Sequence, residues 1–313
     1  MICSAVIDVL LYLNKFENAG ITVYAAGRDY RKIYDRFFGF NSSDGLIFVP
    51  YDATKNETIS VSDKIDYIIH GASNANPAIY KREPVETILA NVLGLNELLK
   101  FAVDVKAKRL LYVSSSEVYG EKEDNEPYSE DDYGYIDVLS QRSGYPLSKR
   151  TGESLCIAYS MEHSIETVIV RPGHIYGPTI QNSDNRASAE FSRRAAAGLD
   201  IIMKSEGKQL RSYCYTLDCA SAMIVVLING ESQVAYNISN AESICSIRDI
   251  ADMIATKAGV KVIFDAPTED EKNSYNPMSN SSLKSERIEA IGWHPAFSLE
   301  HGVESTIQIL KEK

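Results

Sequence analysis

The sequence predicts an α/β fold, a doubly wound parallel sheet followed by a smaller C-terminal lobe, on three observations. Short apolar, β-branched runs at residues 20–26, 46–52, 65–70, 110–113 and 165–170 read as strands. Segments between several of them carry helical periodicity, and strand–helix–strand units close with right-handed crossovers into a parallel sheet. Small and polar residues gather just after two of the strands, at Gly71-Ala72-Ser73 and at Ser114-Ser115-Ser116-Glu117. That is where a doubly wound sheet holds its ligand. Residues 1–172 are read as the dinucleotide-binding domain. Residues 173–313, where the composition shifts to loops and short elements, are read as the smaller C-terminal lobe.

In order, residues 2–13 place Ile2, Val6, Val9, Leu10 and Leu13 at helical spacing. In a dinucleotide-binding fold a strand and a glycine-rich turn precede the first helix. Here they are missing, so the domain reads as truncated at its N-terminus, and the expectation is that an in-frame upstream stretch encodes them. The strand at 20–26 runs into Gly27-Arg28-Asp29-Tyr30-Arg31-Lys32. Gly27 has no side chain with which to hold ribose hydroxyls, whereas Arg28 and Arg31 suit a 2′-phosphate, which favours NADP over NAD. Solvated residues at a helix start are the competing reading, and a register shifted by two would hand the ribose contact to Asp29. The 46–52 strand ends in Asp52. After the 65–70 strand the small Ala72 lets backbone approach a cofactor, and His70 is read as a packing residue. Residues 84–105 form a long helix with Val85, Ile88, Leu89, Val92 and Leu99 on one broad face. Asn91 of that helix is counted among the cofactor contacts.

The 110–113 strand and the segment 144–149 carry the chemistry. On a helix Tyr145 and Lys149 lie one turn apart on one face. An ammonium beside a phenol draws its pKa down from about 10, toward the range of a working base. The hydroxyl of Ser115 could hold the same substrate oxygen. This suits alcohol oxidation, in which a base takes the hydroxyl proton while a nicotinamide takes the hydride. With 19 tyrosines in the chain, the Tyr-x-x-x-Lys spacing alone is expected about once by chance, and its weight comes from the strand and helix around it.

Composition narrows the class. Of 313 residues 44% are hydrophobic and 24% charged, ample for a sizeable core. A net charge of −11 without a basic block argues against nucleic acid or an anionic membrane as partner. The five cysteines lack metal-ligand spacing, so no metal is expected, and their odd number fits reduced thiols in the cytoplasm. Apolar runs such as 223–228 are too short to cross a bilayer, and the N-terminus lacks the basic region of a signal peptide.

Ser114-Ser115-Ser116-Glu117-Val118-Tyr119-Gly120 followed by Tyr145-x-x-x-Lys149 resembles the extended short-chain dehydrogenase/reductases of nucleotide-sugar metabolism, the NAD-dependent epimerase/dehydratase family. The resemblance covers nearly the whole chain. Met1-Ile2-Cys3-Ser4 resembles the tail of the family's Gly-x-x-Gly-x-x-Gly loop, with Cys3 at the last glycine. Arg171-Pro172-Gly173-His174-Ile175-Tyr176-Gly177-Pro178 resembles its Arg-x-x-Asn-x-Tyr-Gly-Pro, with His174 at the usual asparagine. The resemblance implies Tyr145 as base, Lys149 as its electrostatic partner and ribose ligand, Ser115 as orienter, and Asp52 near adenine. It also implies a tightly bound, recycled NAD or NADP, a nucleotide-sugar substrate bound mainly by the lobe of residues 173–313, some of whose segments return to the first domain, and a homodimer through the 84–105 and Tyr145 helices.

Within the family, dehydratases carry Asp-Glu where this chain has Ser116-Glu117, so the acid that would protonate the departing hydroxyl is missing. The UDP-glucuronate decarboxylases are similar at several points. Ser115-Ser116-Glu117-Val118-Tyr119-Gly120 is similar to their Thr-Ser-Glu-Val-Tyr-Gly. His70-x-Ala72-Ser73 with Pro77 and Tyr80, Arg142-x-x-Tyr145, and Gln209-Leu210-Arg211-Ser212-Tyr213-Cys214-Tyr215 match further motifs of that group. Tyr80, Ser116, His174, Arg186 and Arg211 are thereby candidate substrate contacts, the two arginines as anion partners. Glu117 is a candidate acid/base on the C5 side or an orienter of the keto sugar. The chain departs from the group around Ala78, at Glu190 and at His174. A 4-epimerase or 4,6-dehydratase is the alternative enzyme, and a non-catalytic dinucleotide sensor or scaffold the alternative of another class.

Overall fold

The computed structural model describes residues 1–55, 59–73, 75, 77–182, 184–268 and 278–312. In chain order α1 (Ile2–Glu17), β1 (Val23–Gly27), α2 (Tyr30–Arg36), β2 (Leu46–Pro50) and β3 (Tyr67–His70) come first. Next are α3 (Pro77–Arg82), α4 (Pro84–Asp104), β4 (Arg109–Val113), α5 (Gly144–His163), β5 (Glu166–Pro172), β6 (His174–Tyr176) and α6 (Ala187–Ala196). Then β7 (Ile201–Met203), β8 (Leu210–Tyr215), α7 (Thr216–Asn229), β9 (Ala235–Ile238), β10 (Ile244–Ser246) and α8 (Ile247–Ala258) follow. Last are β11 (Val262–Phe264), β12 (Asn280–Ser281) and the helices Glu286–Glu289 and Leu299–Lys311.

Strands β3, β4, β5 and β9 form a four-stranded sheet in that order, every pair parallel. Side chains alternate across such a sheet, and the alternation assigns the layers. Leu111, Val113, Val168 and Val170 point into a core with Ala5 and Val6 of α1 and Met223 and Val226 of α7. Leu110, Tyr112 and Ile169 point the other way, onto Leu95, Leu98 and Leu99 of α4 and Cys156 of α5. Helices thus cover both faces, which is why the strands read as unbroken apolar runs. At Gly152 a side chain would collide with the Tyr112 hydroxyl, so glycine lets α5 lie close against β4.

Strands β1 and β2 pair in parallel as a separate two-stranded sheet. Their core holds Val23, Ala25 and Leu46 with Leu11 of α1. Leu10 packs against both this core and that of the larger sheet, so α1 bridges the two.

Around β8 a second four-stranded sheet gathers β6 and β12 in parallel and β10 antiparallel. Phe191, Ile201, Tyr213, Tyr215, Ile250 and Val303 form its core. The chain then returns to the larger sheet through β9. Among the described residues no helix is long and apolar enough to cross a membrane.

Three details differ from the sequence reading. The strand expected from residue 20 begins at Val23, because Asn14 binds both the backbone N–H and the carbonyl of Ile21 and withholds them from the ladder. The strand expected to reach Asp52 stops at Pro50, and the Asp52 carboxylate accepts from the Thr54 N–H and hydroxyl in a turn. On α4 the inward face carries Ala90, Asn91, Gly94, Leu95, Leu98 and Leu99, while Val85, Ile88 and Leu89 of the expected face are exposed. Gly94 lies against the Ala53 backbone where a side chain would clash. That contact turns the small residues inward and the N-terminal apolar stripe outward.

Candidate active site

The chain leaves β4 into a 3-10 turn, Ser116–Tyr119, capped by Ser115, whose hydroxyl oxygen accepts from the Glu117 N–H at 3.2 Å. The same hydroxyl hydrogen-bonds Tyr145. As the spacing predicted, Tyr145 and Lys149 stand one turn apart on α5; the fold buries both. The Lys149 ammonium donates to the Val113 carbonyl at 2.8 Å and lies 4.9 Å from the Tyr112 ring centre and 5.9 Å from that of Tyr145.

The electrostatics differ from the sequence expectation. Burial, then the charge of Glu117, raises the Tyr145 phenol well above its ordinary range, and the Ser115 hydrogen bond offsets only part of this. Burial also draws Lys149 down to about 7, against the opposing pull of Glu153. Desolvation is the largest cause at both groups, so the protein by itself holds Tyr145 as a protonated phenol.

One turn beyond Lys149, Glu153 accepts from the Ser114 hydroxyl at 2.5 Å and from two nitrogens of Arg171 at 2.9 and 2.7 Å. Arg171 is 1% exposed and also donates to the Tyr119 hydroxyl at 3.1 Å and the Glu130 carbonyl at 2.8 Å. This network fastens α5, β5 and the end of β4 together beneath the tyrosine and lysine.

A second wall faces Tyr145. Tyr80 of α3 stacks on the Tyr145 ring with centres 5.0 Å apart and planes 11° from parallel. Arg142, just ahead of α5, donates to the Glu117 carboxylate at 2.7 Å and to the Tyr80 hydroxyl at 3.2 Å. Ser116 is buried. Arg211, 3% exposed on β8, donates to the carbonyls of Leu210 and Met278. His174 on β6 lies opposite Tyr213 of β8, and its Nδ1 is buried with no hydrogen-bond partner among the described residues. Arg211, Arg186 and Arg142, in that order, add to the burial that holds the imidazole neutral. Arg186 is paired with Asp184 at 2.5 Å.

Of the expected cofactor contacts, Arg28 lies exposed after β1 and its charge acts on the half-buried Asp52. Asp29 caps α2 instead, accepting from the N–H groups of Arg31 and Lys32. Ala72 is exposed beyond β3. Asn91 is fully buried, donating to the Ser148 hydroxyl at 2.9 Å, which in turn donates to the Tyr145 carbonyl at 2.9 Å. The Asn91 carbonyl oxygen, His70 Nε2 and Ser73 Oγ are buried without partners among the described residues. His70 packs at the strand end as expected, stacked on Tyr112 with ring centres 5.9 Å apart.

Sequence reasoning placed Ser115, Glu117, Tyr145, Lys149 and Tyr80 together, and the structure brings them together. It gave no role to Arg142, Glu153 or Arg171. Spacing carried a signal for two of them: Arg142 stands three residues before Tyr145, and Glu153 continues the Tyr145–Lys149 face by one more turn.

Residues 7–239 match the family model described as the NAD dependent epimerase/dehydratase family. UDP-glucuronic acid decarboxylase 6 of Arabidopsis thaliana is 30% identical over 243 residues, 77% of this chain and 68% of that protein. UDP-glucuronic acid decarboxylase 1 of Xenopus tropicalis is 29% identical over 252 residues, 80% of this chain but only 58% of its own length. The fold is similar to that of UDP-glucuronic acid 4-epimerase from Bacillus cereus, solved with UDP-4-deoxy-4-fluoro-glucuronic acid and NAD. There the TM-score is 0.82 at 20% identity, covering 100% of this chain and 96% of that one. With its parallel sheet, its serine-tyrosine-lysine set and a family match across most of its length, this chain belongs to the NAD dependent epimerase/dehydratase family.

Proposed function

We propose that the chain modifies a nucleotide sugar by oxidising it at C4, and that its net reaction is decarboxylation of a UDP-linked hexuronate. The observation that carries this is that two groups of side chains meet around Tyr145 and Glu117. One holds the buried Tyr145 and Lys149 with the half-buried Ser115. The other holds Arg142, Arg211 and the neutral His174, a setting for a carboxylate or diphosphate. Relatives named UDP-glucuronic acid decarboxylase support the substrate class.

A nicotinamide cofactor fits the Lys149 side. Buried polar atoms of His70, Ser73 and Asn91 stand without partners among the described residues beside the carboxyl ends of the strands, and Lys149 is positioned for ribose. When bound, the cofactor supplies hydride acceptance and return at the sugar carbon. Tyr145 acts as the base only as the phenolate, a form that a charged Lys149 and the positive nicotinamide of a bound cofactor would favour; in that form it takes the C4 hydroxyl proton while Ser115 holds the C4 oxygen. A carboxylate at C5 is β to a C4 ketone, so an oriented carboxylate leaves as carbon dioxide with its bonding electron pair passing into a C4 enolate. Ser115 and the protonated Tyr145 hold the enolate oxygen, and C5 then takes up a proton. Arg211 and Arg142 supply the orientation, and Glu117, braced by Arg142, borders the C5 side.

The cofactor is NAD or NADP. In the NADP reading Arg28→Ala weakens NADP binding at least tenfold while leaving NAD within about twofold, because only NADP presents the extra phosphate. Fluorescence titration with each cofactor checks this, and equal losses would assign NAD. The exposed α4 stripe of Val85, Ile88, Leu89 and Leu93 supports a homodimer through α4 and α5, and the composition supports a cytoplasmic setting.

Incubation with UDP-glucuronate, followed by mass spectrometry, tests the reaction. The expected result is loss of carbon dioxide, and Arg211→Ala lowers that turnover by about 10²-fold as one anion-holding group is lost. Interconversion of UDP-glucuronate with its C4 epimer, without loss of carbon dioxide, would assign the chain to the epimerases instead, a reading the Bacillus cereus likeness keeps open.

A further inference from the structure

We propose that His174 takes up a proton when a dianionic diphosphate occupies the site, so that ligand affinity is coupled to pH through this one residue. The inference rests on the nucleotide-sugar reading above. It starts from a buried ring nitrogen, Nδ1, that has no partner among the described residues. Parallel pairing puts His174 beside Tyr213, edge-to-face at 5.9 Å and 63°. Arg211 stands two residues before Tyr213 and so projects from the same face of β8. The charged groups that reach His174 from the surrounding elements are Arg211 on β8, Arg186 ahead of α6 and Arg142 ahead of α5.

Charge balance gives the direction. Glu117 is paired with Arg142 and Asp184 with Arg186, while Arg211 is bound to backbone carbonyls. Three guanidiniums against two carboxylates leave one net positive charge, and in that surrounding a second cation is unfavourable, so the imidazole is neutral. A diphosphate diester brings two negative charges and turns the balance to minus one. A proton on His174 then restores neutrality and gives Nδ1 a hydrogen to donate to a phosphate oxygen. An asparagine at this position, as the family motif carries, has a hydrogen-bond donor but no proton to gain, so the coupling belongs to the histidine.

UDP-glucose is the probe, because its diphosphate diester keeps both charges throughout the neutral range. Its dissociation constant is measured by calorimetry on the full chain between about pH 6.5 and 8.5. Proton uptake makes binding weaken as pH rises, approaching tenfold per unit. In His174→Asn the slope flattens while binding persists at the high-pH level. A ¹³C-histidine spectrum gives an independent reading: among five histidines, the resonance absent from His174→Asn should move to the protonated position only with ligand. A flat parent profile overturns the proposal, as does a slope that survives in His174→Asn, which would assign the proton to another group such as Lys149. Failure of UDP-glucose to bind at millimolar concentration, in parent and variant alike, overturns the nucleotide-sugar reading and this inference with it.

Discussion

Tyr145→Phe lowers turnover of the hexuronate substrate by about two to four orders of magnitude, the range associated with removing a positioned acid–base group. The substitution keeps the ring, and the ring is what the surroundings hold: it is buried against Tyr80 in a parallel stack. What it removes is the hydroxyl that meets Ser115. Cofactor affinity, read by fluorescence titration, and the thermal midpoint should stay near the parent values, so the deficit falls on the chemical step. Single-turnover rates make the comparison free of product release. Near-normal turnover would move the base to another group, with Glu117 the nearest candidate.

Arg171→Met destabilises the fold by about 3–5 kcal/mol, the scale for removing one partner of a buried ion pair. Arg171 is the largest of the fully buried side chains, and five of its neighbours' oxygens lose a donor at once: both carboxylate oxygens of Glu153, the Tyr119 and Tyr133 hydroxyls and the Glu130 carbonyl. Most of the loss is the cost of leaving Glu153 charged and unpaired. The double variant Arg171→Met/Glu153→Gln should therefore recover a substantial part of it. Urea denaturation of the parent, both single variants and the double variant measures this cycle. A midpoint unchanged in Arg171→Met would show that the network contributes nothing to stability.

The legible part of the fold was what periodicity encodes locally. The strand 110–113 and the Tyr145–Lys149 face could be read because both depend on residues a few positions apart. Strand ends were less legible, since Asn14 captures Ile21 across a helix–strand connection that no local pattern displays. The inward face of α4 was set by the approach of Gly94 to Ala53, a tertiary contact. At the site, the residue types were visible but their electrostatic state was not. The spacing of Tyr145 and Lys149 implied a lowered phenol pKa, yet burial is a property of the assembled fold, and it set the sign. The gathering of Arg142, Arg186 and Arg211 around His174 likewise depends on chain crossings far apart in sequence.

The division of the parallel strands into β1–β2 and β3–β4–β5–β9 bears on mechanical coupling across the site. Among the described residues no ladder of backbone hydrogen bonds joins the two sheets; they are linked by packing along α1 and by Tyr51 and Ala53, just past β2, seated against α4. Ladder bonds are directional and resist sliding, whereas apolar packing tolerates small displacements more readily. Arg28 and Asp52 ride on the smaller sheet, while Tyr145, Lys149 and Ser115 ride on the larger one. A ligand that reached both would be gripped by two rafts moored by packing on α1 and α4 rather than by a shared ladder, and binding it would stiffen the molecule at this seam first.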